Sequence, residues 1–303
     1  MSESKEIHMD KMTLCSSLRV GHLQVIRDFS GAGSDAFTLC TPAEFCFYRV
    51  MPKPSLIAIV NYCDRILRPK KIQDNERAVN GLQMENRGGV TRIAAAVDAS
   101  LATVKRAIAA GADLMIVHHG LFWSARQPWT AKNHELLQLL VENNLAIYSA
   151  HLPLDFHPRL GNNALLCAAL GLKNPRPFLL MGGQHYGLQS RTSLSRSVLA
   201  ARLHQATGER PLVIQSGPEI CRRIGVVTGG AGEFLPTAAG EGVDTFVTGE
   251  GPHWTYAAAE ELGLNVLYGG HYATETFGVK ALAAHLSQKF KVPWRFLDHP
   301  TGL

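Results

Sequence analysis

The stretch RIAAAVDASLATVKRAIAAGADLMIVHHG, residues 92–120, holds two short apolar runs with an amphipathic segment between them. Ile93 to Val97 is apolar without a break, the signature of a strand covered on both faces. Ser100 then offers a helix N-cap, Leu101, Val104 and Ile108 share one helical face, and Gly111 ends the helix. Leu114 to Val117 is the next strand. Strand, helix and strand joined by such short connections predict a mostly parallel sheet with helices on its faces.

The pattern extends outward from this unit. Leu56 to Leu67 has helical spacing and stops before Pro69; a helix around His134 to Glu142 and a strand from Leu145 to Ala150 follow. A similar run returns later. Ile93 precedes Asp113 by 20 positions, and Ile224 precedes Asp244 by the same 20. Each connection ends in an Ala- and Gly-rich turn, AAGA at 109–112 and AAGEGV at 238–243. Each run closes on a strand leading to a histidine, LAIYSAH to His151 and LNVLYGGH to His271. Internal duplication and the generic likeness of β-α-β units both account for this. Either way the expected fold is α/β, with two related lobes at residues 51–173 and 174–303, each a mainly parallel or mixed sheet flanked by helices. Their junction is expected in LKNPRPF, residues 172–178. Just beyond it, GQHYGLQS (183–190) reads as a strand, Leu194 to Ala206 as a helix and Leu212 to Gln215 as another strand.

Residues 1–50 show neither helical spacing nor regular alternation, and DFSGAGSD (28–35) is loop-like. Met51 opens a stretch that resembles an ordinary chain start, so 1–50 are expected to be a weakly ordered leader. With 46% hydrophobic and 18% charged residues, the 303-residue chain has the composition of a soluble globular protein. Its net charge of +5 is mild, and no run of Lys or Arg is longer than the pair Lys70-Lys71, so nucleic acid is not an expected partner. Six scattered cysteines form no C-x-x-C pair, which suggests reduced thiols in the cytoplasm rather than a disulfide framework or a thiolate metal site. No apolar run approaches the ~20 residues of a membrane span.

In open α/β sheets functional groups gather beyond the carboxyl ends of the strands. Three strand ends carry candidates: His118 and His119, then His151 and Asp155 in HLPLD, then His271 and Glu275 in HYATE. Successive strand residues point to opposite faces, so the doublet can serve one site only if the chain turns at Gly120. His271 and Glu275 lie one turn apart if a helix opens after Gly270. Pro153 argues against a helix in HLPLD, which is therefore expected to be a loop. Each pair alone is common as a surface contact or a hydrogen-bonded turn. Together they offer more N and O donors than one tetrahedral ion needs, and two ions about 3.5 to 4 Å apart would use them all. Imidazole with carboxylate and no thiolate suits Zn, Mn, Fe or Co.

NGLQMEN (80–86), AVDAS (96–100), ADLMIVHHGLFW (112–123), YSAHLPLD (148–155), TGE (248–250) and GGHYATE (269–275) occur in this order. The set resembles the motifs of the NGG-one interacting factor three-like family, short form, also labelled GTP cyclohydrolase 1 type 2 homologues, over about residues 51–290. The resemblance implies a dinuclear metal centre held by His118, His119, Asp155, His271 and Glu275, in a cleft between the lobes. It also implies a ring-like homohexamer, and His151 near the metals.

The expected function is a dinuclear metal-dependent hydrolase acting on a nucleotide or related small molecule, with His151 and Glu250 as general acid or base. The alternatives are a metal-binding regulatory protein without turnover and an interaction factor in transcription. For Glu250 the competing role is a carboxylate at a helix start, and His253 reads as a surface or packing histidine. GVVTGGAGE (225–233) could form an anion nest or simply a tight turn. Arg126 and Lys132 follow the doublet closely enough to reach an anionic substrate.

Overall fold

The computed structural model describes Ser16–Val20, Leu23–Arg27, and residues 53–123 and 128–303. Strands β1 (Ser16–Val20) and β2 (Leu23–Arg27) pair antiparallel, Val20 opposite Leu23. The sequence reading missed this pair because its alternation of Leu18 and Val20 with Leu23 and Val25 is too short to stand out. The rest of the expected leader, and Arg126, lie outside the described residues.

From residue 53 onward the chain forms one compact unit containing two sheets. The helix α1 (Leu56–Leu67) starts at Ser55, whose hydroxyl accepts from the Ala58 N–H. Strands β3 (Gly81–Met84), β4 (Ile93–Asp98), β5 (Leu114–His119) and β6 (Ala146–Ser149) follow, with α2 (Leu101–Ala109) and α3 (Ala131–Glu142) as crossovers. Strands β4, β5 and β6 are parallel, and β3 lies antiparallel beside β6. Ser100 caps α2 in a reciprocal box with Thr103, as its position suggested.

Two short helices, α4 (Leu152–Asp155) and α5 (Asn162–Ala169), lead to the second sheet. There β7 (Arg176–Met181), β8 (Gln184–Ser195), β9 (Leu212–Gln215), β10 (Ile220–Val226), β11 (Thr245–Thr248) and β12 (Asn265–Tyr268) form the order β7-β8-β10-β11-β12-β9. Helix α6 (Arg196–Thr207) precedes β9, and α7 (Leu235–Gly240) and α8 (Thr255–Leu262) are the crossovers. Again three consecutive strands are parallel and the strand before them lies antiparallel at the far edge. The long helix α9 (His271–Phe290) and strand β13 (Trp294–Phe296) then return to the first sheet, where β13 pairs with β4. Chain halves and sheets therefore do not coincide: the second half supplies an edge strand and a covering helix to the first sheet.

The repeated spacing has a physical counterpart. Ile93 stands opposite Leu114, and Ile224 opposite Thr245. Just before each second strand an aspartate caps the first: Asp113 accepts from the N–H groups of Thr91 and Arg92, and Asp244 from those of Arg222 and Arg223. Charge-assisted bonds to two backbone donors are worth more than neutral ones. Asp113→Ala should therefore cost about 2 to 3 kcal/mol of stability, read as a fall in the denaturant midpoint at unchanged slope. Wild-type stability in that variant would remove the capping role.

Both faces of each central strand are buried, which is why β4 and β5 read as unbroken apolar runs. Ile93, Ala95, Leu114 and Ile116 face α1 and α9, while Ala94, Met115 and Val117 face α2 and α3. In the second sheet Phe246 and Val266 face α7 and α8, and Val226, Val247 and Leu267 face α5 and α6. Helix α9 approaches the α4–α5 segment closely enough that a Cβ on Gly278 would press on the Asn162 and Leu154 side chains. Cys63, Cys167 and Cys221 are free and buried. Among the described residues no helix is long and apolar enough to cross a membrane.

Candidate metal centre

The seven candidates His118, His119, His151, Asp155, Glu250, His271 and Glu275 come together beyond the carboxyl ends of β5, β6, β11 and β12. The doublet does not need the turn that was expected, because β5 continues through His119, which pairs with Asp98. Its two imidazoles instead lean toward different neighbours. His118 Nδ1 lies 2.9 Å from the Ala150 carbonyl beyond β6, and His119 Nδ1 lies 2.9 Å from Asp98 Oδ1 at the end of β4. HLPLD is likewise not a loop. Residues Leu152–Asp155 form the single helical turn α4, with Pro153 in its first turn, where the missing N–H costs no helical bond. His271 and Glu275 occupy the first turns of α9, as their spacing predicted.

Glu275 is the centre of the group. Its Oε1 lies 3.5 Å from His118 Nε2 and 3.2 Å from His271 Nε2, and its Oε2 lies 3.4 Å from His119 Nε2. Asp155 Oδ2 is 3.5 Å from His118 Nε2. The other oxygen of Asp155 accepts from Asn162 Nδ2 at 2.7 Å, so Oδ2 is the one presented. Asn162 in turn accepts from the Gly278 N–H, tying this carboxylate to α9.

The outer nitrogens decide what the inner ones can be. His118 and His119 donate through Nδ1 to Ala150 O and Asp98, His271 to Glu250 Oε1 at 2.7 Å, and His151 to Asp74 Oδ1 at 2.7 Å. Each partner is an acceptor only, so every Nδ1 carries the proton and a neutral ring presents a lone pair at Nε2. Those lone pairs face the carboxylate oxygens of Glu275 and Asp155. His118 Nε2, His119 Nε2 and Glu275 Oε2 are buried with no hydrogen-bond partner. Lone pair against lone pair in a buried site is unfavourable unless a cation stands between them. Two donors about 2.1 Å from one tetrahedral ion lie about 3.4 Å apart, which matches these separations. Two groups of this cluster, His118 with His119 and His151, and His119 with His271 and Glu275, converge closely enough to hold a metal ion.

Without metal, protons must play the cation. Burial opposes charge on His118, but the carboxylates of Asp155 and Glu275 outweigh it and raise its pKa to about 10. Burial likewise opposes charge on His271, while Glu275 and Glu250 raise it to about 9. Burial pushes the Glu275 carboxyl upward, but His118 and His119 overcome this and hold it well below the usual range. The sign for stability follows from the raised histidine values. Their contribution is complete below the unfolded value near 6.5 and is lost as pH rises through about 9 and 10. Chelator-treated protein should therefore melt at progressively lower temperature from pH 6.5 to 10. A melting temperature flat over that range would contradict the assignment.

Several residues of the site escaped the sequence reading. Asp98 stood in the quoted AVDAS motif, and its strand-end position was a usable signal. Asp74 had none, since it lies on an irregular segment. It accepts from Asn80 Nδ2 and the Leu152 N–H besides His151; burial raises its carboxyl, but His151, Asn80 and the Asn75 N–H outweigh that and hold it below the ordinary value. Trp123 stacks on His119 with ring centroids 4.6 Å apart and also meets His151 at 4.5 Å. Glu250 does not start a helix; its carboxylate orients His271. His253 is exposed, a surface histidine and not a packing one. The glycine loop at 228–232 is not an open anion nest: the N–H groups of Gly229, Ala231 and Gly232 already donate to Thr274, Thr248 and Glu250. Its glycines serve close approach instead, since a Cβ on Gly229 would collide with Glu275 Oε1.

Residues 54–301 match the family model Duf34/NIF3 (NGG1p interacting factor 3), and the chain belongs to that family. A Deinococcus radiodurans protein named GTP cyclohydrolase 1 type 2 homolog is 41% identical over 228 residues, covering 75% of this chain and 87% of its own. A Halobacterium salinarum protein of the same name is 43% identical over 237 residues, covering 75% and 92%. A solved crystal structure from Thermus thermophilus, 41% identical, superposes with a TM-score of 0.76 over 82% of this chain and all of its own.

Proposed function

We propose that this protein is a dinuclear metal-dependent hydrolase of a nucleotide or related small molecule, the GTP cyclohydrolase 1 type 2-like activity that its relatives' name suggests. The observation that carries the reading is Glu275, buried and bracketed by three imidazole Nε2 atoms whose Nδ1 positions are all occupied. His118, Asp155 and Glu275 would hold one divalent ion, and His119, His271 and Glu275 a second, of Zn, Mn, Fe or Co. Bound there, such a pair supplies polarisation of a substrate oxygen and acidification of water.

The chain's own groups do the rest. Asp98, Glu250 and the Ala150 carbonyl fix the tautomer and ring orientation of the histidines, which keeps each Nε2 lone pair on the site. His151 is anchored by Asp74 at Nδ1 and by Asn80, which accepts from its backbone N–H, so its Nε2 is free to take or return a proton. Trp123 covers His119 and His151 from one side and lowers the local polarity. The reading includes a cytoplasmic homo-oligomer, a hexamer by family resemblance.

The second reading is a metal-binding regulatory protein without turnover, favoured by the interaction factor in the family's description. Metal analysis of reconstituted protein, combined with turnover of GTP and a small-molecule panel, separates the two. Metal-dependent turnover lost in His119→Ala supports the hydrolase; full metal content with no turnover supports the regulator; no metal uptake at neutral pH removes both.

A further inference from the structure

A cavity of about 1140 Å³ opens beside the metal centre, sharing Asp98, His119 and Trp123 with it. Its composition is uneven. Leu121, Leu136 and Leu140 form an apolar floor, while Phe122 and Trp129 project at its margin with 42% and 56% of their surface exposed. Large aromatic side chains gathered in solvent at the mouth of a pocket are the usual mark of a surface that a ligand covers. Arg77 and Lys132 also line this cavity, both exposed and neither in an ion pair among the described residues. Among the described residues that line it, Glu76 is the one exposed carboxylate, since Asp98 is committed to His119. The cavity thus joins stacking surfaces to unpaired cationic groups, and one of its walls is a candidate metal ligand.

We propose that this cavity is the substrate-recognition site and that it takes a planar heteroaromatic molecule bearing an anionic group. The ring stacks on Trp129 and the free face of Trp123, the anion is met by Lys132 and Arg77, and the bound molecule lies beside the candidate metal centre. Stacking selects for the ring because every planar π-face fits it, while Lys and Arg select for the anion. A nucleotide, with its phosphate on a sugar, and a ring carboxylate of the pterin type share this chemistry. The inference rests on the hydrolase reading for its purpose, but binding can be measured apart from it.

The test uses the full chain after EDTA treatment, with residual metal measured on the same sample, so that recognition is read without turnover. Tryptophan fluorescence and calorimetry follow titration with guanosine monophosphate, 6-carboxypterin, guanosine and ribose 5-phosphate. At least one of the two heteroaromatic anions should bind, and which one does identifies the source of the anion. Guanosine and ribose 5-phosphate should each bind at least about tenfold more weakly than the ring-bearing anion. Trp129→Ala, an exposed position where folding is not at risk, should weaken the ring-bearing anion by about tenfold. Lys132→Ala should weaken the anion and leave guanosine unchanged. Ribose 5-phosphate binding as tightly as the ring-bearing anions, no saturable binding by either anion, or unchanged affinity in Trp129→Ala would overturn the proposal. Ring-selective binding by protein that never takes up metal would leave this site standing and sink the hydrolase reading.

Discussion

Glu275→Gln is expected to abolish metal uptake while leaving the chain folded. Glu275 is 3% exposed and, among the described residues, is the one carboxylate within 4 Å of His118, His119 and His271 together. The amide keeps its shape but removes the negative charge, and it turns one acceptor into a donor that can satisfy a histidine lone pair. The fold therefore survives, since the unpartnered Nε2 atoms gain a hydrogen bond. The cation does not, because both proposed ions share this carboxylate. Affinity should fall by more than the ~100-fold seen when only an outer partner of a metal ligand is removed. Elemental analysis of reconstituted variant, alongside a circular dichroism spectrum matching the parent, reads both halves of the expectation. A variant that retains its full metal content would show that Glu275 is not a metal ligand.

Gly229→Ala should be nearly as damaging, for a different reason. Gly229 adopts φ +70°, where an L side chain is strained by about 1 to 2 kcal/mol. Its missing Cβ is also the space occupied by Glu275 Oε1. The loop cannot retreat easily, because the Gly229 N–H donates to Thr274 and its carbonyl accepts from Thr248 Oγ1 and the backbone of Gly249 and Glu250. Glu275 must move instead, and it carries the centre with it. We expect a stability loss of about 2 to 4 kcal/mol, summing strain and overpacking, together with weakened metal binding. Unchanged melting and metal content would mean that the approach of loop to carboxylate is looser than the structure shows.

The elements whose boundaries were legible are those set by neighbours in sequence. Ser100, the face of Leu101, Val104 and Ile108, and the run Leu114 to Val117 fix β4-α2-β5 through capping and periodicity, which act over a few residues. The equal spacing from Ile93 to Asp113 and from Ile224 to Asp244 was also readable, and the paired aspartate caps explain it. The single turn at Leu152–Asp155 is not legible in the sequence, where Pro153 reads as a helix breaker; only a first turn forms, and a first turn accepts Pro. The return of α9 and β13 to the first sheet left no local trace, because nothing within those segments names the surface they cover.

The sequence by itself determined the donor set that the candidate site can draw on: which residues carry donors, that imidazole and carboxylate outnumber thiol among them, and that they stand at strand ends. Which donors meet was decided by the tertiary structure. Glu275 reaches His118 and His119 because α9 packs across the first sheet, and that placement depends on the burial of Val279, Leu282 and Leu286 against Ile93, Leu114 and Tyr148. The roles of Asp74, Asp98 and Glu250 were decided in the same way. A hydrogen bond to Nδ1 fixes a tautomer only once two distant segments are brought within 3 Å of one another, and no pattern local to either segment encodes that meeting.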